Sequence, residues 1–309
     1  MPTAHDVAEL QQALARPLPE VPSRWFYDDH GSDLFVQIID QPEYYPSRVE
    51  LGILQADAAR MLAAAGNPSH LAELGSGAGA KIRTLLDAMV ASGRGRSVTM
   101  LDINGLYANQ SVATLAESYP SLDCAAIVGN FLVDLDRLGP GGDRLILFLA
   151  GTLGNLHPDD VPAFMTAVAA QMAPGDHFLV GVDQVKAAHV IEAAYNDAAG
   201  VTAAFNLNIL RSVNNAFGSD FKLQDWEHRA FYDVDNNWIE MRLRATRDTS
   251  AHVVGQALSF SAGDELRTEL SCKYTRALLA ERAAPAGLVV QDWFTDDEGL
   301  FALALLGQP

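Results

Sequence analysis

Cysteine is scarce in this chain: its 309 residues contain two, Cys124 and Cys272, far apart in sequence. That excludes a disulfide-stapled framework and suits buried, reduced thiols in a cytoplasmic protein. Positive charge is also scarce. Lys and Arg number 21 against 39 Asp and Glu, a net charge of -18, which repels phosphate backbones and anionic lipid and argues against a nucleic-acid partner. No apolar run reaches the roughly 18 residues that a membrane span needs, and the opening MPTAHDVAELQQALARPLPEVPSRW has no apolar signal core. The histidines form no HxH, HxxxH or HExxH pair, so no metal site is expected. A GxSxG nucleophile elbow and a GxxxxGK[ST] phosphate loop are absent too. What remains is ample apolar content for one large domain or two unequal ones.

Against these absences one stretch stands out, LAELGSGAGAK (Leu71 to Lys81). A short apolar strand runs into Gly75, Gly77 and Gly79, and the helix-like KIRTLLDAMVAS follows at once. Glycines there let the backbone turn sharply and approach a ligand, and the next helix offers unpaired N–H groups. The following strand, VTMLDIN, brings Asp102 to its end, and a carboxylate there suits the two hydroxyls of a ribose. The glycines alone also satisfy a loose dinucleotide fingerprint. Three details favour S-adenosyl-L-methionine instead. The loop does not open the domain and Glu73 precedes it; no second mononucleotide half follows; and polar residues end the next strands, Asn130 after the third and Asn155 after the fourth. Asn130 and Phe131 suit an adenine ring.

From about residue 56 to 195 short apolar strands alternate with amphipathic helices. The strands read as HLAEL, SVTMLDI, CAAIVGN, RLILFLA and HFLVGVD. This rhythm predicts an α/β fold with a doubly wound, mainly parallel, Rossmann-like sheet. After Tyr195 it changes. EHRAFYDVDNNWIEMRLRAT reads as two strands about Asp233 to Asn237, and AHVVGQALSFSAGDELRTEL is strand-rich, as in an antiparallel insertion. KYTRALLAERAA then leads into LVVQDWFTD and LFALALLG, a strand pair that completes the first sheet. The first 55 residues fit neither pattern and are expected to join the insertion as a lid. The expected division is a core of 56–195 plus 275–309 and a smaller α+β substrate domain of 1–55 plus 196–274.

PEYYPSR (42–48), LAELGSGAGAK, FLAGTLGN (148–155), DAAGVTAAFNLNIL (197–210) and RTELSCKY (267–274) occur here in a particular order. Together they resemble the histidine Nα-methyltransferases of ergothioneine biosynthesis, over a span from about Trp25 to the C-terminus. The resemblance implies a methyltransferase core that uses S-adenosyl-L-methionine to methylate the α-amino group of L-histidine three times, giving hercynine. It places Gly75, Gly77, Lys81, Asp102, Asn130 and Phe131 at the cofactor. It implies that Glu269, Ser271 and Tyr44 hold the imidazole and that Asn155 and Tyr195 hold the carboxylate. Tyr27, Phe35, Thr152 and Met241 line the pocket, with Tyr27, Asn155 and Tyr195 nearest the chemistry. The expected partner is a small-molecule amino acid and the expected state a monomer.

These residue types suit the reaction on their own terms. Methyl transfer is an in-line displacement, so alignment and electrostatics dominate. A trimethylated ammonium is a permanent cation, and tyrosine and phenylalanine faces attract such groups. Glu269 and Ser271, two apart on a strand, share one face and together can grip a ring N–H. Two departures from the family pattern stand out. Asn130 replaces an expected aspartate, and Ala150-Gly151 replaces Gly-Ser, adding a methyl near the amine and bearing on the final degree of methylation. Other acceptors, tryptophan or tyrosine, a non-catalytic sensor and a dinucleotide oxidoreductase remain alternatives at this level.

Overall fold

The alternating apolar segments build a seven-stranded sheet. The computed structural model describes residues 2–76 and 79–309. Contacts divide the chain into two units, Pro46–Val185 with Lys273–Pro309, and Met1–Tyr45 with Lys186–Cys272.

In the larger unit, β1 (His70–Leu74), β2 (Ser97–Asp102), β3 (Asp123–Val128), β4 (Arg144–Phe148) and β5 (His177–Asp183) are parallel. The closing hairpin, β11 (Val289–Thr295) and β12 (Phe301–Gly307), adds antiparallel strands, giving the order β11-β12-β5-β4-β1-β2-β3. Every residue of β4 and β12 is buried, as expected of strands covered on both faces, so they read as continuous apolar runs. Leu145 and Leu147 of β4, with Phe301, Leu303 and Leu305 of β12, supply alternate side chains to one core face. Helices α3 (Tyr45–Ala64) and α4 (Ile82–Ala91) close that face through Ile53, Leu54, Met61, Ile82, Leu85 and Met89. Helices α5 (Gly105–Ser118), α6 (Val161–Ala169) and α9 (Arg276–Ala283) complete the unit. Strand order reverses between β1 and β4, and ligands of such sheets bind beyond the carboxyl ends of the strands at that point.

Sequence rhythm places the first boundary at residue 55, but α3 is one continuous helix from Tyr45. Its Ile53 and Leu54 are core residues of the larger unit, so the division falls earlier. Pro46, at the second helical position where no N–H is required, starts it.

The smaller unit holds α1 (Ala4–Leu14), α2 (Asp29–Ile39), α7 (Ala188–Ala194) and α8 (Val201–Phe217). Its antiparallel sheet, in the order β10-β7-β6, comprises β6 (Trp226–Asp233), β7 (Trp238–Ala245) and β10 (Glu265–Cys272). A separate hairpin pairs β8 (Thr249–Val253) with β9 (Gln256–Phe260). The first residues, which fit no pattern in the sequence, are helical. Thr3 and Asp6 form a capping box at α1, and Asp28 caps α2. Sequence reading also missed α8. Its buried residues Thr202, Phe205, Asn206, Ile209 and Val213 follow helical spacing, yet the buried asparagines mask the apolar stripe and are poor helix formers. Tertiary bonds compensate, from Asn206 Nδ2 to Arg242 O and from Asn208 Nδ2 to Asp28 Oδ1, and the carboxylate of Asp197 accepts from Val201 N and Thr202 N at 2.8 and 2.7 Å at the start of the helix.

Candidate active site

At the carboxyl end of β1 Gly75 adopts left-handed backbone (φ 67°), as does Gly79 (φ 64°) shortly before α4. Gly77, expected at the cofactor, lies outside the described residues. A Cβ on Gly79 would sit 2.8 Å from Met100 Cε, the movable end of a flexible side chain, so the left-handed backbone at this position is what favours glycine. Gly75 N donates to Leu101 O at 2.8 Å, and the ring of Phe131 lies 3.5 Å from where a Gly75 Cβ would be. Asp102 ends β2, buried, with its Oδ1 accepting from Asn104 N at 2.8 Å. Gly129 N donates to Asp102 O at 3.0 Å and so brings Asn130 and Phe131 beside it. Asn130 Oδ1 accepts from Leu132 N at 2.9 Å, forming a tight turn in which its second lone pair remains. Gly75, Asp102, Asn130 and Phe131 therefore lie together at the strand ends.

Lys81 forms an ion pair that sequence reading missed. Its Nζ meets the carboxylate of Glu50, whose side chain is fully buried on α3. Glu50 also accepts from Ala150 N, at 2.8 Å to Oε1 and 3.0 Å to Oε2. A cue exists in the sequence: helical spacing puts Glu50 on the same stripe as Ile53, Leu54, Ala58 and Met61, an improbable place for a solvated carboxylate. Glu73 lies close by on β1. Burial pushes its carboxyl up to about 8; Lys81 opposes that shift, and Glu50 and Asp102 add to it. Glu73 is therefore neutral at pH 7.

Ala150 and Gly151 both adopt left-handed backbone (φ 64° and 67°) and lead into a short helical turn, Thr152–Asn155. The Thr152 hydroxyl donates to Leu149 O at 2.8 Å, which fixes its rotamer. Asn155 ends the same turn, half-buried.

The smaller unit gathers the remaining expected residues. Tyr27, Phe35 and Tyr44 form an edge-to-face series, with centroids 5.7 Å apart for Tyr27–Phe35 and 6.2 Å for Phe35–Tyr44. Phe205 of α8, a residue the sequence reading passed over, stacks on Phe26 at 4.4 Å and backs both Tyr27 and Phe35. Met241 on β7 pairs directly with Glu269 on β10, and Ser271 follows two residues on. Tyr195 stands at the C-terminal end of α7, buried. Burial around its hydroxyl raises the phenol of Tyr27 well above its ordinary value, and Glu269, Tyr44 and Tyr195 raise it further. The residue as a whole keeps 38% of its surface accessible. The Tyr27 phenol stays protonated at physiological pH and is no strong base.

S-adenosyl-L-methionine fits the residues of the larger unit. Asp102 offers a carboxylate at the strand end, and among the described residues the buried Glu73 Oε2 and Ser76 Oγ have no hydrogen-bond partner. Among the described residues no group of three His, Cys, Asp or Glu side chains could hold a metal ion, and no helix is long and apolar enough to cross a membrane.

Residues 6–308 match the family model described as histidine-specific methyltransferase, SAM-dependent. The chain belongs to that family. It is 42% identical over 289 residues to the histidine N-alpha-methyltransferase of Mycolicibacterium smegmatis, covering 92% of this chain and 89% of that protein. Against the histidine N-alpha-methyltransferase of Mycobacterium tuberculosis, identity is 38% over 299 residues, with 96% and 93% covered. Among solved structures, an S-adenosylmethionine-dependent methyltransferase from Clostridium acetobutylicum aligns with a TM-score of 0.50 at 10% identity, covering 89% of this chain and 98% of that one. That likeness concerns the fold: the S-adenosylmethionine-dependent methyltransferase core, a mixed seven-stranded sheet, to which this chain adds an antiparallel sheet.

Proposed function

We propose that this methyltransferase transfers methyl groups from S-adenosyl-L-methionine to the α-amino nitrogen of L-histidine, up to three times, giving hercynine. The observation that carries this reading is the placement of Glu269 and Ser271 on one face of β10, with Glu269, Tyr44 and Tyr195 all bearing on the Tyr27 phenol. A carboxylate with a hydroxyl two residues on can hold a ring N–H, and an aromatic pocket without them has no such grip.

The bound cofactor supplies an electrophilic methyl group on a sulfonium. Lys81 would hold its carboxylate, Asp102 the ribose hydroxyls, and Asn130 with Phe131 the adenine. Tyr195 of the smaller unit would fix the amino-acid carboxylate, and Met241 of the same unit would line the histidine site. The attacking amine must be neutral. Because the Tyr27 phenol keeps its proton, it orients the amine as a hydrogen-bond partner, and the amine's proton leaves through hydroxyls to water. Tyr27, Phe35 and Tyr44 offer ring faces and edges in several orientations, which suits a growing methylated ammonium.

Glu269→Ala tests the reading. It leaves an imidazole N–H without its partner, so the KM for histidine should rise far more than the KM for the cofactor, with a relaxed preference toward apolar aromatic amino acids. Unaltered histidine kinetics in the folded variant would remove Glu269 from the site.

A further inference from the structure

Strand β10 is irregular next to its functional carboxylate. Arg267 pairs with Arg242 and Glu269 with Met241, so Thr268 is an extra residue, a β-bulge. Bulges bend a strand and re-aim the side chains beside them, and they recur next to active sites. Thr268 is 1% exposed, and its hydroxyl lies 2.6 Å from Asn206 Oδ1 and 3.0 Å from Met241 O. Asn206, on α8, is fully buried. Its amide nitrogen reaches Arg242 O at 2.9 Å and His228 Nδ1 at 2.8 Å. His228, on β6, places Nε2 3.0 Å from the backbone carbonyl of Tyr195.

Donor and acceptor roles in this chain are determined by its ends. A carbonyl only accepts, so His228 Nε2 carries the hydrogen. Nδ1 then accepts from Asn206 Nδ2, whose other hydrogen goes to Arg242 O. Asn206 Oδ1 is left to receive the Thr268 hydroxyl. Burial lowers the affinity of His228 for a second proton, opposed by the Tyr195 carbonyl and Asp197, which keeps the ring in the neutral form that the chain requires. Each of these polar groups is satisfied, and such buried networks specify one geometry. The chain runs from the end of α7, where Tyr195 sits, through β6 and α8 to the bulge that precedes Glu269.

We propose that Thr268, Asn206 and His228 are positioning residues for the amino-acid substrate, holding Glu269 and the end of α7 that carries Tyr195 in one fixed arrangement. The inference rests on the reading that Glu269 and Tyr195 hold histidine. The network touches neither substrate nor cofactor; it acts through the bulge at one end and the α7 carbonyl at the other.

Two pairs of variants test it. Thr268→Val removes the hydroxyl at nearly constant shape, and Thr268→Ser keeps it. His228→Ala breaks the link, and His228→Gln can return an N–H to Tyr195 O and an acceptor to Asn206. The KM for histidine should rise on the order of tenfold in Thr268→Val and His228→Ala, the loss expected from a displaced hydrogen bond. S-adenosylhomocysteine affinity by calorimetry should stay within about twofold of wild type, since no cofactor-binding group lies in the network. The serine and glutamine variants should restore most of the histidine affinity. If either disruptive variant fails to fold, the other pair decides the matter. Equal loss of histidine and cofactor binding without rescue would mean a merely structural role and overturn the proposal. Unchanged histidine KM in both disruptive variants would overturn it too, provided Glu269→Ala and Tyr195→Phe raise that KM. If those two controls are also silent, the underlying reading of the site fails first.

Discussion

Glu73→Gln should stabilise the central sheet as pH rises, and the structure gives the size of the effect. Glu73 sits on β1, 4% exposed, with Oε2 lacking a partner among the described residues. Burial, reinforced by Glu50 and Asp102 and opposed by Lys81, raises its carboxyl from 4.5 to about 8. Between those values the unfolded chain has lost the proton that the folded one keeps, so folding takes up a proton and stability falls as pH rises, levelling off above about 8. At about 1.36 kcal/mol per pK unit the full interval corresponds to roughly 5 kcal/mol, an upper bound that water penetration and local relaxation reduce to about 2–4. Glutamine keeps the shape and cannot ionise. At pH 5 the variant should match wild type or fall about 1 kcal/mol short, because its amide lacks a partner in that pocket. At pH 8 it should be the more stable protein. Native-state hydrogen exchange on peptides from β1 and β4, comparing the two proteins at each pH, isolates this sheet and cancels the intrinsic pH dependence of exchange. Parallel loss of protection in both proteins from pH 5 to 8 would refute the argument and place an ionised carboxylate in the fold.

Asp102→Ala should weaken S-adenosyl-L-methionine binding by about 1.5–3 kcal/mol, the range for hydrogen bonds to a charged group; unchanged affinity by calorimetry would dismiss Asp102 as a ribose ligand. Ala150→Gly relieves a left-handed alanine (φ 64°), which costs about 1–2 kcal/mol, and gives back about 0.4–1 through the freer unfolded chain. The variant should therefore melt slightly higher. If the alanine methyl crowds the amine, the variant should also speed the last methylation, and mono- and dimethylhistidine should accumulate in the wild type alone. Identical time courses would remove the steric part and leave the backbone part. A side chain at Gly181 would overlap Glu50 Oε1 and press on Phe301, so Gly181→Ala should cost about 1–3 kcal/mol by overpacking and lower cofactor affinity through the displaced partner of Lys81; a variant neutral in both respects would show that Glu50 can move freely.

The parallel core was legible because its strands are covered on both faces and bounded by turns. HLAEL and HFLVGVD match β1 and β5 residue for residue, and LFALALLG overruns β12 by a single residue. The proposed cofactor residues could be grouped for a related reason: a glycine turn, a strand-end carboxylate and an asparagine lie within one run of chain, and the sheet brings their strand ends together. The substrate half depended on whole motifs, since Tyr27, Tyr195 and Glu269 are distant in sequence and meet through α8 and the β10 bulge. Alternation of two cannot reveal a bulge, and Thr268 shifts the register just where Glu269 is aimed. Helix α8 hid because its asparagines serve tertiary bonds at the expense of propensity. Glu50 could have been seen: a carboxylate on an apolar stripe demands a partner, and it has two.

The most direct test of the proposed activity is mass spectrometry of the purified protein incubated with S-adenosyl-L-methionine and, separately, each of the twenty amino acids. Histidine should gain methyl groups on its α-amino nitrogen, up to the trimethylated hercynine, and the remaining amino acids should gain few or none. Histidine left unmodified while the protein binds the cofactor, or faster methylation of another amino acid, would contradict the assignment of Glu269 and Ser271 to an imidazole and with it the proposed function.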